Sequence, residues 1–130
     1  MRTHHTLALA ICLILALTGV ANAQKLSVNE TQALLAKGPW KIRTGGEYNY
    51  FIWGKSGTLC VKQYGPKDKK CADTGTWTRD GAKVCYKLQW WGKGIDQDKL
   101  CFQVVKTSKG YEAVGSSGLA ELYFSVPDLR

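Results

Sequence analysis

The residues best suited to chemistry in this chain are four cysteines, Cys60, Cys71, Cys85 and Cys101, separated by 10, 13 and 15 residues. No two form a CxxC pair, which removes both the zinc-knuckle spacing and a common means of lowering a thiol's pKa. Their even number suits two disulfides, provided that the chain reaches an oxidising compartment. Both histidines (His4, His5) and the lone methionine (Met1) lie in a segment expected to be removed. Without them, Ser-His and Cys-His nucleophile systems, histidine-bearing metal sites and His- or Met-ligated haem are excluded. The carboxylates Glu47, Asp73, Glu112 and Glu121 stand alone in sequence, with no visible acid-base pair. The expectation is a protein without catalytic residues, metal or cofactor.

The segment to be removed reads as a secretory signal peptide. Arg2 is followed by the apolar run LALAICLILALTGV, and Ala21-Asn22-Ala23 fits the small-residue cleavage rule. The run is short for a bilayer span and no second one follows, so no transmembrane anchor is expected. Cys12 lies inside the run behind Ile11 and fits a lipoprotein signal poorly. Residues 1–23 are thus assigned to the signal peptide and 24–130 to a single small domain, periplasmic or secreted and monomeric.

Charge narrows the choice of partner. After loss of Arg2, 17 basic side chains face 10 acidic ones, a net charge of +7 before the termini are counted. Such a field favours an anionic partner, an envelope polysaccharide or a lipid headgroup, with a protein as the further candidate. Nucleic acid is not expected, because no recognition motif is present. The densest basic run is Lys67-Asp68-Lys69-Lys70, after Gly65-Pro66. Its first reading is a solvated loop tip whose lysines discourage strand pairing between molecules, and a binding patch is the second.

The elements that must position these residues are one helix followed by strands. Ser27 and Glu30 form a capping box, Val28, Leu34 and Leu35 supply an apolar face, and Gly38-Pro39 stops the turn, giving a helix over about Val28 to Lys37. Thereafter runs of aromatic and β-branched residues alternate with glycine turns, which predicts an antiparallel meander or barrel of about eight strands. The predicted strands are 40–44, 48–53, 58–64, 75–79, 83–90, 99–106, 111–114 and 121–126.

Side chains two apart in a strand share a face. Val84, Tyr86, Leu88 and Trp90 form one row and Leu100, Phe102 and Val104 another. If Cys85 opposes Cys101, both apolar rows coincide and both cysteines lie outside. This favours a Cys85–Cys101 cross-strand bridge among the three possible connectivities, leaving Cys60–Cys71 to close the lysine loop.

With helix, GTW at Gly75 to Trp77, the Asp80-Gly81 turn, VCYK around Cys85 and Tyr86, and LCFQV around Cys101 and Phe102, the chain resembles a family of small secreted alphaproteobacterial proteins. That family is catalogued as domain of unknown function number nine-nine-five. The resemblance covers most of the mature chain, more loosely before Gly57, and the sequence departs from the pattern in Cys60, Cys71 and its loop lengths. It implies a periplasmic home and a lipocalin-like small barrel, and implies no active site.

Five tryptophans then divide into core and surface. Trp40 and Trp77 follow glycine or proline near strand starts and read as core, as does Trp90 from its parity. Trp91, of opposite parity, and Trp53, beside the Gly54 to Gly57 turn, are the candidates for exposure. The leading expectation is a non-enzymatic binding module that meets an anionic envelope component through Trp53, Trp91, Lys69, Lys70, Lys87 and Lys93. One alternative is a lipocalin-like carrier whose interior, lined by Tyr48, Tyr50, Tyr86 and Phe102, holds a small apolar ligand. Another is a protein-protein role, such as inhibition of an envelope hydrolase by the disulfide-pinned Gly65 to Lys70 loop.

Overall fold

The computed structural model describes residues 24–44 and 46–127; the expected signal peptide lies outside them. The elements run β1 (Gln24–Lys25), α1 (Val28–Ala36), β2 (Trp40–Thr44), β3 (Glu47–Trp53), β4 (Thr58–Lys62), β5 (Asp73–Asp80), β6 (Lys83–Leu88), a 3-10 turn (Lys93–Ile95), β7 (Lys99–Thr107), β8 (Gly110–Val114) and β9 (Ala120–Ser125). Each strand from β2 to β9 pairs antiparallel with the next, and β9 returns to β2, so eight strands close into a barrel. Closure satisfies strand edges that an open sheet would expose. The expected barrel, single helix and both disulfides are present.

Helix α1 closes one end. Ser27 accepts from the Glu30 backbone N–H and the Glu30 carboxylate accepts from the Ser27 N–H, both at 3.1 Å, so the expected capping box forms. Those hydrogen bonds hold the Glu30 carboxyl below its usual pKa range. Leu34 and Leu35 are buried against the barrel mouth, and the Trp40 indole N–H donates to the Leu34 carbonyl at 3.1 Å. One polar bond thus fixes the helix to the ring that plugs the barrel beneath it.

Aromatic rings occupy the barrel from that end to the other. Trp40 stacks on Phe124 at 4.0 Å and meets Trp53 edge-on at 4.7 Å; Phe51 then meets Tyr86 at 5.4 Å and Trp91 at 4.9 Å. Edge-to-face pairs of this kind add to the burial of large apolar surface. Phe102 touches Trp40 and Tyr86 within the same cluster. Trp77, expected in the core, is only partly buried, and its N–H donates to the Gly54 carbonyl at 2.9 Å.

The expected cysteine register is observed residue for residue. Cys85 opposes Cys101, Val84 opposes Phe102 and Tyr86 opposes Leu100. The Cys85–Cys101 Cα atoms lie 4.0 Å apart on the outer wall, and Cys60–Cys71, at 5.4 Å, closes the β4–β5 connection. Gly75 explains the opening of GTW: a Cβ there would run into the Lys87 backbone carbonyl, so β5 and β6 approach this closely only with glycine.

Most strand ends depart from the sequence reading by one or two residues, β5 beginning at Asp73 rather than Gly75. β1 was not foreseen; two residues have no periodicity, and the strand exists because Gln24 and Lys25 find Lys106 and Val105 of β7. β4 stops at Lys62 rather than Tyr64, and β6 at Leu88 rather than Trp90. The second difference changes the functional surface.

Candidate binding surface at the loop end

Because the strands alternate in direction, the β2–β3, β4–β5, β6–β7 and β8–β9 connections all emerge opposite helix α1. Asp73, at the first position of β5, organises this end. Its buried carboxylate accepts the Thr74 N–H through Oδ1 at 2.8 Å and, through Oδ2, the N–H groups of Gln89, Trp90 and Trp91 at 3.1, 2.8 and 2.8 Å. Three successive backbone donors converging on one oxygen turn the chain out of the β6 ladder. Side chains no longer alternate across the sheet from that point.

This turn corrects two assignments. Trp91, expected outside, is 5% exposed and lies against Phe51; Trp90, expected in the core, is 50% exposed. Strand parity cannot be extended past Leu88, because the captured N–H groups no longer pair with a neighbouring strand. Trp53, the other expected surface tryptophan, is also buried: it follows Asn49 and Phe51 on the inner face of β3 and packs against Trp40 near the helix end.

The lysines fare better. Lys69 and Lys70 are exposed on the disulfide-closed β4–β5 loop, Lys93 is exposed in the β6–β7 loop, and Lys87 is exposed on β6 near this end. The register places Lys87 directly opposite Lys99. Like charges at directly opposed positions repel, and that repulsion would be relieved by an anion. Among the described residues at this end, Lys67, Lys69, Lys70, Lys87, Lys93 and Lys99 are exposed, with Glu47 and Asp96 exposed and Asp68, Asp98 and Glu121 partly exposed beside them.

The two loops are joined as well as adjacent. Asp73 ties the end of the β4–β5 connection to residues 89–91, and the Gln89 side chain donates to the Thr74 hydroxyl at 2.9 Å. The Asp68 N–H donates to the Gly65 carbonyl at 3.2 Å, Lys62 Nζ to the Asp68 carbonyl, and the Lys70 N–H to Asp68 Oδ1 at 3.4 Å. Lys69 and Lys70 therefore stand on a braced loop.

The residues expected to line an interior site separate into two groups. Tyr86 and Phe102 point inward but are packed among other rings, whereas Tyr48 is exposed and Tyr50 half-buried on the outer face of β3. They alternate with the inward-facing Asn49 and Phe51, so all four cannot face one cavity. The Tyr86 hydroxyl donates to the Gln97 carbonyl at 2.6 Å. Burial, and then the negative charges of Asp98 and Glu121, push its pKa well above the usual tyrosine value.

Sequence reasoning missed a second aromatic-basic surface. Tyr48, Arg43 and Tyr123 stand in register across β3, β2 and β9, and Lys41 Nζ lies 4.0 Å from the Tyr48 ring centre. The β2–β3 half was open to the pairing argument applied to Cys85 and Cys101; the β9 half needed barrel closure. Among the described residues no group of three or more His, Cys, Asp or Glu side chains is placed to hold a metal ion. No helix there is long and apolar enough to cross a membrane. Compared with protein-family models, with curated proteins and with solved structures, the chain finds no match.

Proposed function

We propose that the protein is a non-enzymatic binding module of the periplasm or secreted space, released from a signal peptide ending at Ala23, that meets an anionic envelope component through its loop end. The resemblance to the family numbered nine-nine-five belongs to the same proposal and adds no site to it. The observation that supports the reading most is the β6–β7 hairpin. It carries the opposed pair Lys87 and Lys99, the exposed Lys93 and the half-exposed Trp90, beside Lys69 and Lys70 of the braced neighbouring loop. Trp90 takes the part first given to Trp91.

An anion at this end neutralises lysines already held close together, so little ordering of the protein accompanies binding. Exposed charges are screened over ~10 Å at 0.1 M salt, and the affinity is therefore expected to fall steeply with ionic strength. The test is titration against an anionic surface, such as an acidic polysaccharide or anionic vesicles, at rising salt for the native protein and for Lys87→Glu/Lys93→Glu. Salt-insensitive binding unaffected by the charge reversals would sink the reading.

A further inference from the structure

We propose that the anionic partner is a bilayer surface, with Tyr64, Trp90, Ile95 and Leu119 entering its headgroup region; this rests on the loop-end reading above. Tyr64 is 90% exposed, Leu119 70% and Ile95 61%. With Trp90 they sit in three of the four connections of one barrel end. Single exposed apolar side chains are ordinary, but several gathered at one end of a small domain mark an interaction surface.

Their arrangement distinguishes a bilayer from a protein partner. The four side chains are spread over three connections, two of which, β4–β5 and β6–β7, also carry exposed lysines. A bilayer offers the same order in depth, anionic phosphates outermost and hydrocarbon beneath, and tyrosine and tryptophan favour the boundary between them. Six exposed lysines, against the exposed Glu47 and Asp96 and the partly exposed Asp68, Asp98 and Glu121, provide the complementary charge.

The apolar side chains are also held on ordered turns. Ile95 ends the 3-10 turn Lys93–Ile95, whose N–H donates to the Gly92 carbonyl at 3.2 Å. Gly92 has φ +75°, and a Cβ there would approach the Gln97 carbonyl carbon to 2.8 Å, so glycine is required for this turn to close. Leu119 follows the turn in which the Gly118 N–H donates to the Gly115 carbonyl at 3.0 Å, and its own N–H donates to Ser117 Oγ at 3.3 Å. Trp90 is held through its backbone by Asp73. Rigid presentation of this kind limits the entropy lost on docking.

The experiment is vesicle co-sedimentation of the mature protein with phosphatidylcholine alone, with phosphatidylcholine containing phosphatidylglycerol, and with the same mixture carrying brominated acyl chains. Binding to the anionic vesicles is expected, with a blue shift and bromine quenching of tryptophan emission that disappear in Trp90→Phe. Ile95→Ser/Leu119→Ser, with its melting temperature checked against the native protein, is expected to bind about tenfold more weakly at unchanged salt dependence. Anionic vesicles bound without quenching, and equally well by the serine variant, would overturn the inference while leaving the loop-end reading intact. Binding to a soluble acidic polysaccharide but not to vesicles would do the same. Failure with every anionic surface would overturn both.

Discussion

Asp73 shows how a single side chain sets a functional surface. Its Oδ2 takes three backbone N–H groups, ends β6, sends Trp91 inward and leaves Trp90 outside. In Asp73→Ala those donors lose their acceptor, and stability should fall by about 3 kcal/mol or more, read from urea unfolding, with Trp91 emission shifting to the red. A loss below about 1 kcal/mol would mean that packing of Trp91 on Phe51 alone fixes the turn. Tyr86 gives a prediction that depends on pH. Its phenol pKa is raised in the fold, so its contribution is complete while the unfolded tyrosine is also protonated, below about pH 10. Above that pH the unfolded chain releases the proton first, and stability declines as pH rises toward the folded value. Tyr86→Phe should lose about 1 kcal/mol near pH 7, with the Gln97 hydrogen bond, yet decline less steeply beyond about pH 10. Parallel decline of both proteins in urea midpoints would contradict this. At this scale the lysines were legible in the sequence because charge alone keeps them outside. Trp90 and Trp91 were not, because their exchange depends on a carboxylate sixteen or more residues away in the chain.

Among the elements, the strands were readable because period-two rows and glycine turns are local signals, and because Cys85 and Cys101 bring both apolar rows into one register only. β1 and the ends of β4 and β6 were not, since each is decided by a partner elsewhere in the chain. The two disulfides act on different parts of the molecule. Cys85–Cys101 joins strands already paired on both sides of the bond, whereas Cys60–Cys71 closes the loop that carries Lys67, Lys69 and Lys70. Replacing either pair by serine should destabilise the protein by roughly 2–3 kcal/mol, given the length of the closed loops. Only Cys60→Ser/Cys71→Ser should also weaken binding to an anionic surface under conditions where the variant remains folded, because it frees the lysine loop. Equal effects of the two replacements on affinity, measured by titration with circular dichroism as the folding control, would show that the loop's constraint has no part in binding.

For the molecule as a whole, the fold divides its two ends by role. Helix α1, Leu34, Leu35 and Trp40 seal one end, and the other carries the long loops and a half-exposed tryptophan, while exposed lysines outnumber exposed carboxylates toward both. Net charge alone would attract polyanions to any face, so the central claim is that attraction is concentrated at the loop end. The barrel was legible from the sequence, and so was the positive charge; the separation of ends required closure, which no local pattern reports. Lys87→Glu/Lys93→Glu changes the loop end, while Lys55→Glu/Lys109→Glu changes exposed lysines in turns at the helix end, and the two variants have the same net charge. Their affinities for one anionic surface, titrated side by side at about 0.1 M salt, test the claim directly. The loop-end pair should bind at least about tenfold more weakly than the helix-end pair, on the order expected for two lysines close to an anionic surface. Equal loss in both variants would contradict the account, showing that the protein binds by overall charge with no preferred face.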